Sequence, residues 1–142
     1  MFRIIIQFDI LINGQMYGYN VFDRIIDASF KKGESDLIDI ERLREYFKDD
    51  CVFITEHAAE RFRQRGIKIK DIQNALMNGE IIEQYPDDYP FPSCLILGIE
   101  SNGNPLHICM SDEGETSRII TAYYPDLNKW SSDFRTRRED EK

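Results

Sequence analysis

The sequence predicts an α+β fold: two to three helices packed on a small antiparallel β-sheet, with an N-terminal β-hairpin extension. Three observations carry this. Between residues 39 and 79, apolar side chains recur at spacings of three and four, the period of amphipathic helices. From residue 80 to 124, short strand-like runs alternate with turn residues, the pattern of an antiparallel meander. Near the start, residues alternate apolar and polar around an Asn-Gly pair, the strongest short hairpin signal.

Taken in order, Ile4, Ile6, Phe8, Ile10 and Ile12 fall on one side of the first strand, with Arg3, Gln7 and Asp9 on the other. Closing on Asn13–Gly14 pairs Ile10 with Tyr17, Phe8 with Tyr19 and Ile6 with Val21. Such a hairpin is marginal alone and needs a surface to dock on. Residues 31–36, KKGESD, are a polar break. Asp39 caps a helix to about Lys48, with Ile40, Leu43 and Phe47 as its apolar stripe. VFI at 52–54 is an extended lead-in to a second helix, capped by Thr55 and ended by Gly66, with Ile67 placed for the apolar contact after a left-handed cap. A third helix carries Ile69, Ile72 and Leu76 and stops at Gly79. EIIEQY, SCLILGIE, PLHICMS and TSRIITAYY then read as strands, the middle two joined by Asn102–Gly103. The tail opens as a helical turn carrying Trp130 and Phe134 and ends in mixed charge, expected to fray over 139–142. The boundaries that follow are an N-terminal extension, 1–38, and a main domain, 39–138. The extension reads equally as a docked hairpin or as a start upstream of the native one.

A chain of 142 residues has room for one domain with a real core. Its 42% apolar and 31% charged residues are ordinary for a globular protein. Three cysteines, Cys51, Cys94 and Cys109, form no CxxC pair, which points to reduced thiols in a cytoplasmic setting and not to a disulfide scaffold. The apolar start is broken by Arg3, Gln7 and Asp9 and is too short to span a bilayer, so neither membrane nor export is expected. The net charge of −8 counts against generic nucleic-acid binding, which usually shows a basic domain.

Against that acidic background, His57, Arg61, Arg63 and Arg65 sit within nine residues. Positions four apart share a helix face, so His57, Arg61 and Arg65 form one stripe, while Ala58, Ala59 and Phe62 form the packing stripe. Arg63 is placed to pair with Glu60 or Glu56. His57 lies in the first turn, where free N–H groups and the helix dipole favour anions. An imidazole beside two guanidiniums suits a phosphodiester; a run of helix charges is also, and more often, a solvated face. The other histidine, His107, lies on a strand. A two-residue Asn102–Gly103 turn pairs Ile99 with Leu106, Leu97 with Ile108 and Leu95 with Met110, an apolar core face. His107 then points the other way, with Ile96 and Cys109. A count across the DEG turn brings Arg118 onto the face of His107 and, continued, places Tyr124 there rather than Tyr123.

The ordered motifs of residues 52–138, a His-Ala-x-x-Arg-x-x-x-Arg-Gly helix, a Leu-His strand, a Thr-x-Tyr-x-Pro strand end and a following Trp, resemble the DUF4258 family of small bacterial proteins. The resemblance implies a fold like that of the RelE/BrnT-type toxins. It also implies the role of an mRNA-cleaving toxin, paired with an antitoxin that has a zinc ribbon and a helix-turn-helix. By the same resemblance His57, Arg61, Arg65 and Gly66 fall on the helix motif, His107 on the Leu-His strand and Tyr123 on the tyrosine two residues before Pro125. Lys68 departs from the family's Ser or Thr helix cap, and the first 38 or so residues have no counterpart.

The leading expectation is therefore a metal-independent endoribonuclease needing no cofactor. His57 and His107 are its acid/base candidates, because only imidazole titrates near neutrality unperturbed. Arg61, Arg65 and Arg118 would hold phosphate or RNA, and Tyr123 would donate a hydrogen bond or stack on a base. The rival is a non-catalytic interaction module whose His/Arg face meets an acidic partner or solvent. A shared cleft for His57 and His107 favours the enzyme; opposite faces favour the module. A metal site from His57, His107 and Cys94 or Cys109 lacks any recognisable ligand spacing.

Overall fold

The computed structural model describes residues 37–139, together with the backbone pairing of residues 11–12 and 15–16. In it, β1 (Leu11–Ile12) and β2 (Gln15–Met16) pair antiparallel, Leu11 with Met16 and Ile12 with Gln15. That is the register expected from Asn13–Gly14. The further pairs Ile10–Tyr17, Phe8–Tyr19 and Ile6–Val21 lie outside the described residues, as does the tail beyond residue 139.

Helix α1 (Ile40–Lys48) begins where the Asp39 carboxylate accepts from the Glu41 N–H at 3.0 Å, and buries Leu43, Tyr46 and Phe47. After β3 (Val52–Ile54), helix α2 (Glu56–Arg65) starts on Thr55, whose hydroxyl accepts from Ala58 N–H at 2.9 Å. It stops at Gly66, at φ 69°. There Gly66 N–H donates to Arg63 O and Ile67 N–H to Phe62 O, the paired closing bonds that need a left-handed residue. A β-carbon at Gly66 would meet nothing within 4 Å. Gly66→Ala is thus expected to cost only the backbone term, about 1 kcal/mol by thermal or urea unfolding.

Helix α3 (Ile69–Asn78) has Lys68 in its cap position. The lysine side chain has no acceptor to offer; instead the Asp71 carboxylate accepts from Lys68 N–H at 2.9 Å. Burial alone would raise the Asp71 carboxyl, but hydrogen bonds from Lys68 and Ser101 outweigh it and hold the group low.

Strands β4 (Glu80–Tyr85), β5 (Ser93–Ile99), β6 (Pro105–Asp112) and β7 (Ser117–Tyr123) form the antiparallel meander. The sheet is mixed, however: β3 pairs parallel with β7, giving the order β3-β7-β6-β5-β4. A three-residue strand carries too little pattern to announce its partner, so this fifth strand corrects the expected antiparallel sheet. The helices cover one face, with α2 over β7 and α3 over β5 and β6. The core there joins Leu43, Phe47, Phe62, Ile72 and Leu76 to Ile96, Leu106, Ile108 and Ile119.

The β5–β6 register also differs from expectation. Leu97 faces His107, Ile96 faces Ile108 and Leu95 faces Cys109, a slip of one residue that exchanges the two faces of β5. The turn is a three-residue loop with Gly103 at φ 89°; Glu100 N–H donates to Asn104 O, and Gly103 N–H to Glu100 O. The cause is Glu100, whose buried carboxylate accepts from the N–H groups of Asn102 at 2.7 Å and Asn104 at 2.9 Å. Ile96 therefore belongs to the helix-side core, not to the face of His107. Beyond β7 the tail makes turns and not a helix, with Trp130 N–H donating to Asp126 O and Trp130 bridging to Arg137.

Candidate functional site

The packing stripe of α2 behaves as its spacing requires: Ala58 and Phe62 are buried. The opposite stripe faces outward, with His57 and Arg61 exposed and Arg65 half-buried. Arg63 is engaged with Glu60, its Nε donating to the carboxylate at 3.1 Å. Among the described residues, His57 and Arg61 make no ion pair or side-chain hydrogen bond.

Arg65 links this stripe to the sheet. Its Nη1 donates to Ala122 O at 2.7 Å and lies 3.4 Å from the Thr121 hydroxyl. Strand β3 covers β7 only at Ser117–Ile119, so among the described residues Ala122 stands on an otherwise open edge. One nitrogen of the guanidinium caps that edge, and the fork is held in a fixed orientation beside β7.

His107 is fully buried. Its Nε2 lies 2.9 Å from Phe134 O, which can only accept, so this nitrogen carries the proton and donates. In the neutral ring Nδ1 is then the acceptor, from the Tyr123 hydroxyl at 3.2 Å. Trp130 packs edge-on against the imidazole, with ring centroids 4.4 Å apart. Burial pushes the imidazole below its ordinary value, against the upward pull of Phe134 O and Glu83. Tyr123 is the residue directly opposite His107 on β7. The bulge at Ile120, where the register shifts between Cys109 and Met110, restores Tyr123 to this face and corrects the count that favoured Tyr124. Burial raises the Tyr123 phenol, keeping it a donor.

Arg118 does lie on the face of His107, opposite Ser111. It is engaged there: Nε is 3.2 Å from the buried Glu113 carboxylate. The three thiols are free, and burial pushes Cys94 up to about 12 and Cys109 to about 11, so neither supplies a thiolate near neutrality. Among the described residues no three His, Cys, Asp or Glu side chains gather to hold a metal ion. A groove of about 390 Å³ between α1 and β4, lined by Ile38, Ile40, Arg44 and Ile81 among others, lies at the sheet edge away from β7.

The expected residues thus divide. His57, Arg61 and Arg65 run along one exposed stripe. Arg65, Thr121, Tyr123 and His107 are joined through the end of β7, Thr121 being the member that sequence reasoning missed. The two histidines occupy opposite sides: His57 outward on α2, His107 on the sheet face turned away from the helices. Glu83 and Arg137 complete that second face. The Arg137 fork donates to both Glu83 oxygens at 3.0 Å and its Cζ lies 4.6 Å over the Trp130 ring.

Among the described residues no helix is long and apolar enough to cross a membrane. A family model described as a domain of unknown function, DUF4258, matches residues 54–124. No curated protein and no solved structure matches the chain.

Proposed function

The chain belongs to the DUF4258 family, and we propose that it is an RNA-binding module of the cytoplasm that grips backbone phosphates with the α2 stripe. One observation carries the reading: the accessible imidazole is His57 alone, standing beside Arg61 and the edge-anchored Arg65, while His107 is sealed under the tail. An in-line attack by a ribose hydroxyl needs a base and an acid, and this separation supplies one of them. Binding needs only the stripe. Arg61 offers a planar fork to phosphate, and Arg65 offers the nitrogens that Ala122 does not use. The acidic remainder of the molecule repels RNA from other faces and so confines contact to this one.

A second reading is favoured by the convergence of Arg65, Thr121, Tyr123 and His107 on β7. In it the fold is that of a RelE/BrnT-type toxin, and the protein is an endoribonuclease acting on mRNA in a toxin–antitoxin pair. His57 would be the accessible acid/base group, Arg61 and Arg65 would stabilise the oxyanion, and an antitoxin would mask the stripe.

Fluorescence anisotropy with a labelled single-stranded RNA, followed by a gel of the same sample, separates the two. The module binds with affinity falling about tenfold between 50 and 200 mM salt, as expected for two to three phosphate contacts. Arg61→Ala lowers the salt slope by about 0.7, and Arg65→Lys, which keeps charge and loses the fork, is markedly weaker than wild type. The RNA stays intact. Cleavage that disappears in His57→Ala and is insensitive to chelator transfers the conclusion to the endoribonuclease. Absence of binding overturns both.

A further inference from the structure

The segment after β7 is fastened differently from the rest of the domain. Between residues 126 and 139 only Trp130 is buried; the other side chains are half-buried or exposed. The segment closes on itself, with Ser131 N–H donating to Thr136 O and Arg138 N–H to Lys129 O. It contributes no strand to the five-stranded sheet. Among the described residues, what holds it down is Trp130 buried against His107, one hydrogen bond from His107 to Phe134 O, ion pairs of Arg135 with Glu80 and Arg137 with Glu83, and a 3.4 Å contact from Arg137 to the Tyr85 hydroxyl. The Arg135–Glu80 pair is exposed on both sides and weak, the Arg137–Glu83 pair is a two-point contact to a half-buried carboxylate, and both weaken with salt. Phe134 also sits at φ 60°, a conformation that L side chains resist. A self-contained and locally strained unit, fastened at a few points, opens before the whole domain does.

The surface beneath is suited to a nucleobase. Tyr123 and His107 offer aromatic faces, with Leu97 opposite His107. In the closed state a tail indole packs on His107, and a tail carbonyl accepts from its Nε2. A base brings the same two features, a flat aromatic ring and carbonyl acceptors. Arg65, which reaches the Thr121 hydroxyl on that same face, places the opened surface next to the α2 stripe.

We propose that residues 126–138 are a latch that lifts as a unit and offers the His107–Tyr123 face to a base of RNA held by the α2 stripe. The proposal rests on the RNA-binding reading above. His57 and His107 are the two histidines of the chain, so diethyl pyrocarbonate labelling read by mass spectrometry reports both in the full-length protein, with His57 as the internal reference. In the wild type His57 is labelled quickly and His107 slowly. The double variant Arg135→Ala/Arg137→Ala raises His107 labelling about tenfold with the circular dichroism melt still cooperative. Raising salt on the unaltered protein moves it in the same direction. In the variant, a single-stranded RNA oligonucleotide then slows labelling at both histidines. Labelling of His107 that stays slow in the variant and in salt, or that appears only with global unfolding, overturns the latch. Protection of His57 alone overturns the latch and leaves RNA binding intact; protection of neither overturns both.

Discussion

Gly98→Ala is expected to destabilise the domain by about 3 kcal/mol, the upper end for forced overpacking, and to lower the melting temperature on the order of 10 °C. Gly98 lies on β5 opposite Leu106, on the face that the helices cover. A β-carbon there would sit 1.9 Å from Ala75 O and 2.7 Å from Ala75 Cα, inside the backbone of α3. Neither neighbour is a side chain that can swing aside, so α3 itself must move away from β5. That helix contributes Ile72, Ala75 and Leu76, all fully buried, and lifting it loosens the contacts of all three. Gly66→Ala is the comparison, since its added methyl meets open space. Equal melting temperatures for the two variants would show that α3 is free to re-seat and that the close approach does not govern stability.

The same contrast between local and distant causes explains what the sequence made legible. Helix α2 was readable because its determinants are neighbours of the helix itself. Thr55 caps it, Gly66 ends it, and Ala58 and Phe62 fix which side is buried. The outward stripe of His57, Arg61 and Arg65 follows from that period alone. The β5–β6 register was not readable, because Asn102–Gly103 offers a two-residue turn that the buried Glu100 carboxylate overrides by holding the loop amides. A one-residue bulge at Ile120 likewise decides between Tyr123 and Tyr124, and nothing in the local pattern signals a bulge. The burial of His107 depends on Phe134 and Trp130, more than 20 residues further along the chain. A histidine alternating with apolar neighbours looks the same on a solvated face and beneath a tail. The parallel pairing of β3 with β7 joins residues 52–54 to 117–119, a separation over which pattern carries no information.

Replacing the two histidines should therefore have opposite consequences. His57→Ala is expected to leave stability within about 0.5 kcal/mol, as for an exposed side chain without structural partners. His107→Ala is expected to cost about 2–4 kcal/mol, because it removes a fully buried ring and strands Phe134 O and the Tyr123 hydroxyl without their partner. The pH dependence gives a sharper signature. Burial holds folded His107 below its ordinary value of 6.5, so below that pH the unfolded chain binds a proton more readily than the folded one. By linkage this group's contribution is complete above about pH 6.5 and is lost as pH falls through the lower, folded value. The Glu83 carboxylate, which Arg137 and Tyr85 hold below the usual range against the raising effect of its burial, stays charged through the start of that window. Urea unfolding of wild type and His107→Ala at pH 7.5 and pH 5.5 tests this directly. The stability gap between them should narrow at the lower pH, since only the wild type carries the buried imidazole. A gap that widens on acidification would mean that His107 takes up its proton more readily in the folded state, with Nδ1 donating to Tyr123, and a constant gap would mean that burial leaves its proton affinity unchanged.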